Sequence, residues 1–444
     1  MKEIKISLIS LGCEKNFVDS EMILGMLKDT KGSSGYLFKI VDSAYDSDII
    51  IINTCGFIES AKKEALDVIF DAVMIKEEKK DVKIVVCGCL AERYLEELKK
   101  EITEVDLFIP LKDYFKFGKL LLTLIGAHDI NEVKLDYTKR LISTGKSLAY
   151  LRISDGCNNR CAYCAIPLIR GNFRSRKHQE IVDEFKGLVK NGYKEICLIS
   201  QDLSNYGYDI GDSLANLLID LDQVEGDYII RLLYLYPDEI TDEFIDVVYN
   251  SSHIIHYFDI PLQHASNKIL KLMNRRGTKI DAINLIKKIR EKMPDSVIRT
   301  TMIVGFPHES EKDFGELLEF IQEVKFTHLG AFTFSKEEDT KSFDMTMQVS
   351  NKTKIERYNK LMETQRLISR DLLKEYVNKC YYGVIDKFDE NEECYLARIY
   401  TQAPDDIDGY TKIYTKELLS LDKRYLLKIV DSLDYDLIAE VIDD

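Results

Sequence analysis

The sequence lacks any apolar run near the roughly 20 residues that a membrane-crossing helix needs. Its longest, IIIINTC after Asp48, turns polar within the length of one strand. The opening MKEIK leads straight into a strand pattern with no apolar leader and no small-residue cleavage site, so a cytoplasmic protein without a signal peptide is expected. Basic charge is also short. With 61 Lys and Arg against 76 Asp and Glu, the net charge of −15 argues against non-specific nucleic-acid binding over the whole surface and suits a protein that meets basic partners. The 7 histidines show no HxxxH or other paired metal-ligand spacing, so no metal is assigned to them. No internal repeat or low-complexity tract interrupts the chain. The most informative absence is a fourth cysteine in the loop that carries Cys157, Cys161 and Cys164.

What that loop does hold is three thiols in the run CNNRCAYC after Gly156. Three thiolates so close together can grip three corners of a cubane iron–sulfur cluster. A missing fourth protein ligand leaves one iron open to an outside group, which by the logic of zinc sites points to chemistry rather than scaffolding. A zinc knuckle would want C-x2-C pairs and a fourth ligand. The chain has 10 cysteines, and in a reducing compartment they indicate metal or redox chemistry rather than disulfides.

At 444 residues and 45% hydrophobic content, the chain is long enough for two or three domains. In the first third, short β-branched runs at Lys5–Gly12, Asp48–Thr54, Lys83–Gly88 and Val105–Pro110 alternate with helical patterns at Phe17–Lys28, Ile58–Glu77 and Ala91–Lys100. Such alternation predicts a parallel α/β sheet. Cys13, Cys55 and Cys89 each stand at the end of one of the first three strands. Strand carboxyl ends share one edge of a parallel sheet, where ligands bind, so these residues should converge into a second three-cysteine site. Three small buried thiols are the bland alternative. Cys87 faces the same way as Cys89; Cys89 is preferred because it follows Gly88 at the strand end, and Cys87 is expected to be packed.

A charged stretch around Asn131–Ser147 reads as a linker. Six further strands are predicted at Leu148–Ser154, Glu195–Ser200, Ile229–Pro237, His256–Leu262, Val297–Phe306 and Leu329–Ser335, with helices between them. Six βα units make a partial barrel, whose active residues should lie in the loops after the strands. The Cys157 loop directly follows the first. A long amphipathic helix near Asn351–Tyr376 then leads to short strands and turns over Tyr376–Asp444, a small all-β barrel.

CNNRCAYC resembles the cysteine loop of radical S-adenosylmethionine (SAM) enzymes, with Tyr163 as the aromatic before the last ligand. LGCEKNFVDSE, NTCGFIESAKKE and CGCLAERY resemble the methylthiotransferase branch. PLIRGNFRSR, LYLYP, IPLQHASNKILKLMNR and RIYTQAPDDIDG look like its RimO group. The resemblance implies an N-terminal cluster domain (1–143), a radical SAM core with linker helix (144–375) and a TRAM barrel (376–444). It implies two 4Fe-4S clusters, one on Cys13, Cys55 and Cys89 and one on Cys157, Cys161 and Cys164. It also implies SAM as both methyl donor and source of a 5′-deoxyadenosyl radical. A radical route suits the chemistry, because no side-chain base can readily take a proton from an aspartate β-carbon. The implied substrate is an aspartate of the small-subunit ribosomal protein S-twelve, served by a low-potential electron donor and a sulfur donor that the residues do not name. One departure is His308, where the group usually has glycine, which puts the local turn in question.

Tyr163 is placed near the adenine by the resemblance. Gln201 and Asp202, after the second barrel strand, and Gln263 and His264, after the fourth, are candidates to touch SAM or substrate by position. Arg170, Arg174 and Arg176 could grip a carboxylate bidentately or form a solvated basic loop. Two rivals stand against the protein-modifying reading. A tRNA-adenosine methylthiotransferase would share both clusters, but Tyr376–Asp444 carries 16 acidic and 8 basic residues, a net of −8 that disfavours direct RNA binding. A non-catalytic iron–sulfur carrier would have fully ligated clusters and would not bind SAM.

Overall fold

A computed structural model describes residues 2–29, 36–126, 135–404, 406–421 and 423–442. The first part is a five-stranded parallel sheet built from β1 (Lys2–Ser10), β2 (Tyr36–Ile40), β3 (Ile49–Thr54), β4 (Lys83–Gly88) and β5 (Leu107–Pro110), in the order β2-β1-β3-β4-β5. Every residue of β3 is buried, as a β-branched central strand covered on both faces should be. Edge strand β2 was not expected from sequence; only Phe38 of its five residues is buried, so it has no continuous apolar signal. The helix expected at Ala91–Lys100 is two, Cys89–Arg93 and Leu95–Glu101, broken at Tyr94, whose φ of −129° is not helical. A further turn and helix, Leu111–Lys116 and Phe117–Leu124, were also missed. Of the expected linker, residues 131–134 lie outside the described residues, and Tyr137–Lys139 forms one 3-10 turn.

The second part is an open six-stranded parallel sheet. Its members are β6 (Leu148–Arg152), β9 (Glu195–Ile199), β10 (Ile229–Leu232), β11 (Ile254–Asp259), β12 (Val297–Val304) and β13 (His328–Thr333), adjacent in chain order. Between β6 and β9 lies a small ribbon of β7 (Ser154–Asp155) and β8 (Arg174–Ser175). Helices pack outside this half-barrel. Two of them, Lys279–Lys292 and Glu311–Val324, start with capping boxes, Thr278 with Asp281 and Ser310 with Asp313. His308, at the position where glycine was expected, adopts a φ of 67°, so the turn keeps its left-handed geometry with a residue that tolerates it better than most.

Helix Asn351–Leu373 leads into a closed barrel, β14 (Cys380–Asp389), β15 (Cys394–Ile399), β16 (Thr411–Ile413), β18 (Leu437–Val441) and β17 (Arg424–Ser432), in that order around it. Its 400–408 loop enters the half-barrel. The Tyr257 hydroxyl donates to Asp408 at 2.5 Å and Arg299 Nε donates to it at 3.2 Å. Arg231 donates to the Tyr400 carbonyl at 3.0 Å. Ala403 packs with Tyr150, Cys197, Leu233 and Tyr257 in the lumen. Glu195, the first residue of β9, accepts from both Arg231 (2.5 Å) and Arg398 (2.7 Å). The small barrel therefore seals the end of the sheet where β9 and β13 begin. Within the acidic APDDID run, Asp408 is thereby buried against Arg299 and Tyr257, while Asp405 lies outside the described residues.

Candidate active site

Both three-cysteine groups stand at strand carboxyl ends. Cys13 follows β1, Cys55 follows β3 and Cys89 follows β4, all on one rim of the first sheet. Three glycines make their approach possible. At Gly12, with φ of 88°, an added Cβ would lie 2.6 Å from the Cys55 Cβ. At Gly88, with φ of 94°, it would meet the Thr54 carbonyl at 2.5 Å, and at Gly56 the Leu90 Cα at 2.8 Å. Asn16 ties the rim together. Its amide donates to the Thr54 carbonyl at 2.8 Å and the Leu11 carbonyl at 3.1 Å, while its oxygen accepts from the Cys89 thiol at 3.2 Å.

The second trio lies in the loop after β7. Gly156, with φ of 75°, lets that loop pass the Asn172 carbonyl, which an added Cβ would approach to 2.2 Å. Cys157 accepts from the Asn159 amide at 3.5 Å, and Arg275 Nη1 lies 3.9 Å from the Cys161 sulfur. All six thiols, Cys13, Cys55, Cys89, Cys157, Cys161 and Cys164, line one cavity of about 470 Å³. Among the described residues, no three His, Cys, Asp or Glu side chains gather as the ligands of a single metal ion do. Two all-thiol trios suit multi-iron clusters, whose thiolates each bind a separate iron, rather than one tetrahedral zinc. Burial pushes the Cys89 thiol up to about 12 and Cys157 to about 11, and raises Cys55 and Cys164 as well. Iron binding would have to release those protons.

The packing separates the cysteine alternatives. Cys87 is fully buried in the core beneath the first sheet with Tyr114 and Phe117, and does not line the cavity, whereas Cys89 does. Of the other candidates, Tyr163, Gln201 and Gln263 line the cavity. Gln263 has a φ of 71°, a strained backbone of the kind that clusters at functional sites. Asp202 and His264 do not line it. The Asp202 carboxylate accepts from Asn159 at 2.6 Å and Asn205 at 3.1 Å, so it braces the cluster loop from behind. His264 accepts from the Ser266 amide at 2.9 Å and faces Glu309 at 3.4 Å in the interior. Both stand one layer behind the cavity wall, as hydrogen-bonding supports.

The three arginines of the loop divide. Arg170 is buried and spent on protein carboxylates, donating to Asp19 at 2.8 Å and Asp155 at 3.3 Å. Asp19 also receives Arg152 at 2.7 Å, so one carboxylate from the first sheet's leading helix holds two arginines of the half-barrel. Arg176 pairs with Glu184 at 2.7 Å and lies 3.7 Å from the Tyr137 ring. Arg174 is exposed. On the other side Glu337 accepts from Lys62 (3.0 Å) and Arg93 (2.9 Å), again joining the two parts. Sequence reasoning passed over Lys15, Tyr234, Tyr236 and Arg275, all on the cavity wall. Tyr234, Tyr236 and Arg275 lie inside the LYLYP and IPLQHASNKILKLMNR runs; the signal present for the two tyrosines was their place just past a strand end, while Arg275 follows the helix Asn267–Leu272. A wider groove of about 1240 Å³ shares Phe332, Thr333, Phe334 and Ser335 with the cavity and opens beside helix Glu59–Glu78.

With this geometry, three family models match the chain: the Radical SAM superfamily over residues 151–321, the TRAM domain over 379–442 and "Uncharacterized protein family UPF0004" over 5–110. The "Ribosomal protein uS12 methylthiotransferase RimO" of Clostridioides difficile is 41% identical over 447 residues, covering 99% of both chains. The proteins of the same name from Alkaliphilus oremlandii and Clostridium botulinum are each 42% identical, over 99% and 100% of this chain and 99% of their own. Among solved structures, the radical S-adenosylmethionine methyltransferase TsrM from Kitasatospora setae matches with a TM-score of 0.56 at 13% identity, covering 77% of each chain. The cobalamin-dependent S-adenosylmethionine radical enzyme OxsB matches with 0.51 at 15% identity, over 82% of this chain and 56% of its own. These two speak to the fold.

Proposed function

The chain belongs to the RimO family of ribosomal protein uS12 methylthiotransferases, and we propose that it replaces a β-carbon hydrogen of a uS12 aspartate with a methylthio group. The single observation that carries this reading is the one cavity walled by both cysteine trios. Hydrogen abstraction and sulfur delivery must reach the same carbon, so two open-iron clusters have to share one enclosed space. When bound, the two 4Fe-4S clusters and SAM supply the radical and the sulfur chemistry that side chains cannot.

The chain's own residues hold and enclose. Cys157, Cys161 and Cys164 would hold the cluster that meets SAM, and Cys13, Cys55 and Cys89 the one that carries sulfur. Tyr163, Gln201 and Gln263 line the cavity and would meet SAM, and Asp202 fixes the loop through Asn159. Buried carboxylate–arginine contacts at Asp19 and Glu337 hold the two parts together around the cavity, which would limit the access of water to the reacting groups. Residues 1–143, 144–375 and 376–444 would then act as sulfur-cluster domain, radical core and TRAM domain. An electron donor of low potential and a sulfur donor complete the cycle. No described helix is long and apolar enough to cross a membrane.

The acidity of the C-terminal barrel favours a basic protein partner over RNA, even with Asp408 withdrawn into the interior. The test is anaerobic reconstitution with iron and sulfide, then incubation with SAM, dithionite, uS12 and bulk tRNA in competition. A gain of about 46 Da on uS12, the mass of SCH3 replacing H in such chemistry, is expected. A gain on tRNA alone would overturn the reading.

A further inference from the structure

Three cations line the six-cysteine cavity: Lys15, Arg170 and Arg275. Two have committed partners. Arg170 is held by Asp19 and Asp155, and Arg275 donates to the Pro261 carbonyl at 2.6 Å while its guanidinium lies 4.0 Å from the Tyr236 ring centre. Lys15 differs. It is 5% exposed, yet among the described residues its ammonium makes no hydrogen bond. The carboxylate closest to it, Glu14, is 3.7 Å away and already accepts the Tyr234 hydroxyl at 2.7 Å. The ammonium also sits 3.0 Å from the centre of the Tyr234 ring, a contact that fills none of its N–H donors, and the residue lines the cavity.

A buried ammonium without hydrogen-bond partners is costly unless a ligand completes it. The backbone is held at both ends of the contact. The Lys15 carbonyl is gripped by Arg152 at 3.3 Å, and Tyr234 is locked at a φ of 67° by the Asp259 carboxylate on its amide at 2.9 Å. The only carboxylate among the described residues that line the cavity is Glu337, and it is taken by Lys62, Arg93 and Ser335. The space in front of Lys15 therefore presents an ammonium beside Cys13 whose one ion-pair partner among the described residues, Glu14, lies 3.7 Å away and is shared with the Tyr234 hydroxyl.

We propose that Lys15 is the specificity-determining residue that binds the carboxylate of the substrate aspartate and so holds its β-carbon beside the Cys13 trio. This deepens, and rests on, the uS12 reading above. The carboxylate of SAM is a second source of the same chemistry, but it belongs with the Cys157 loop. An ammonium bonded to a carboxylate discriminates against the neutral amide, whose NH2 would face a donor.

The test uses the reconstituted holoenzyme with uS12 peptides that carry either aspartate or asparagine at the modified position. Binding of both peptides without SAM, binding of SAM alone, and iron content are measured in parallel. Lys15→Gln is expected to weaken the aspartate peptide about 10- to 100-fold, the range for losing a charged hydrogen bond, and to leave the asparagine peptide unchanged. Lys15→Arg should restore most of the preference. If the glutamine variant loses iron, Lys15→Met keeps the stem against Tyr234 and carries the same comparison. Equal losses for both peptides, or a loss of SAM affinity in place of peptide affinity, would overturn the proposal. If wild-type protein binds the aspartate peptide preferentially but never modifies it, the functional reading fails while the lysine assignment stands.

Discussion

The two cysteine trios reach the same cavity by opposite routes. Cys157, Cys161 and Cys164 sit in one loop, and a single glycine, Gly156, lets that loop turn tightly against Asn172. Cys13, Cys55 and Cys89 come from three strand ends, and three glycines plus Asn16 are needed to bring them together. A local site depends on a loop's own conformation; a gathered site depends on sheet register, rim packing and tertiary hydrogen bonds. The difference predicts that general destabilisation should cost the gathered site first.

The largest effect should come from the ligands. Cys89→Ala and Cys161→Ala should each abolish methylthio product, but Cys87→Ala should keep it, as mass spectrometry of uS12 would register. Next is the joint between the two sites. Arg170→Met leaves the buried Asp19 and the half-buried Asp155 with less compensation and should cost about 3–5 kcal/mol, visible as a lower Tm and a more open cavity to thiol-reactive probes. Acid offers a comparison remote from both trios. Arg231 and Arg398 hold the buried Glu195 carboxyl down to about 2 against burial, which alone would raise it. A depressed carboxylate contributes its stability above its unfolded value near 4.5 and loses it as pH falls toward 2. About 3 kcal/mol should disappear over that window in denaturant titrations, and Glu195→Gln should flatten the slope. Gly12→Ala should cost about 2 kcal/mol and lower iron loading at the gathered site. Gly126→Ala, with a φ of 74° and open space around it, should leave iron loading unchanged. The smallest effect expected is Asp202→Asn, about 1 kcal/mol from weakened support of Asn159.

How much of this was legible in the sequence follows the same division. The local trio was visible in CNNRCAYC itself. The gathered trio was legible only because strand–helix alternation implies a parallel sheet, and a parallel sheet puts strand ends on one rim. Six half-barrel strands and the final barrel were readable from β-branched runs between turns. Strand β2, with one buried residue, had no such signal, and the break at Tyr94 is a backbone event inside a helical pattern. That Asp202 and His264 stand one layer behind the cavity was not legible, because a position after a strand does not say whether a side chain faces the cavity or the layer behind it, while Arg170 does line the cavity but is taken up by Asp19 and Asp155. Lys15 was missed because its partner, the Tyr234 ring, lies 219 residues away in the chain.

The central claim is that two separate open clusters serve one cavity. The most direct measurement reconstitutes wild-type protein alongside variants that lack one trio or the other, then counts iron and assays SAM cleavage and uS12 modification. Wild type should hold about eight irons, the content of two 4Fe-4S clusters, and each variant about four. Only proteins with the Cys157 loop intact should yield 5′-deoxyadenosine, and neither variant should make methylthio-uS12. A variant without Cys13, Cys55 and Cys89 that kept full iron and still modified uS12 would contradict the account.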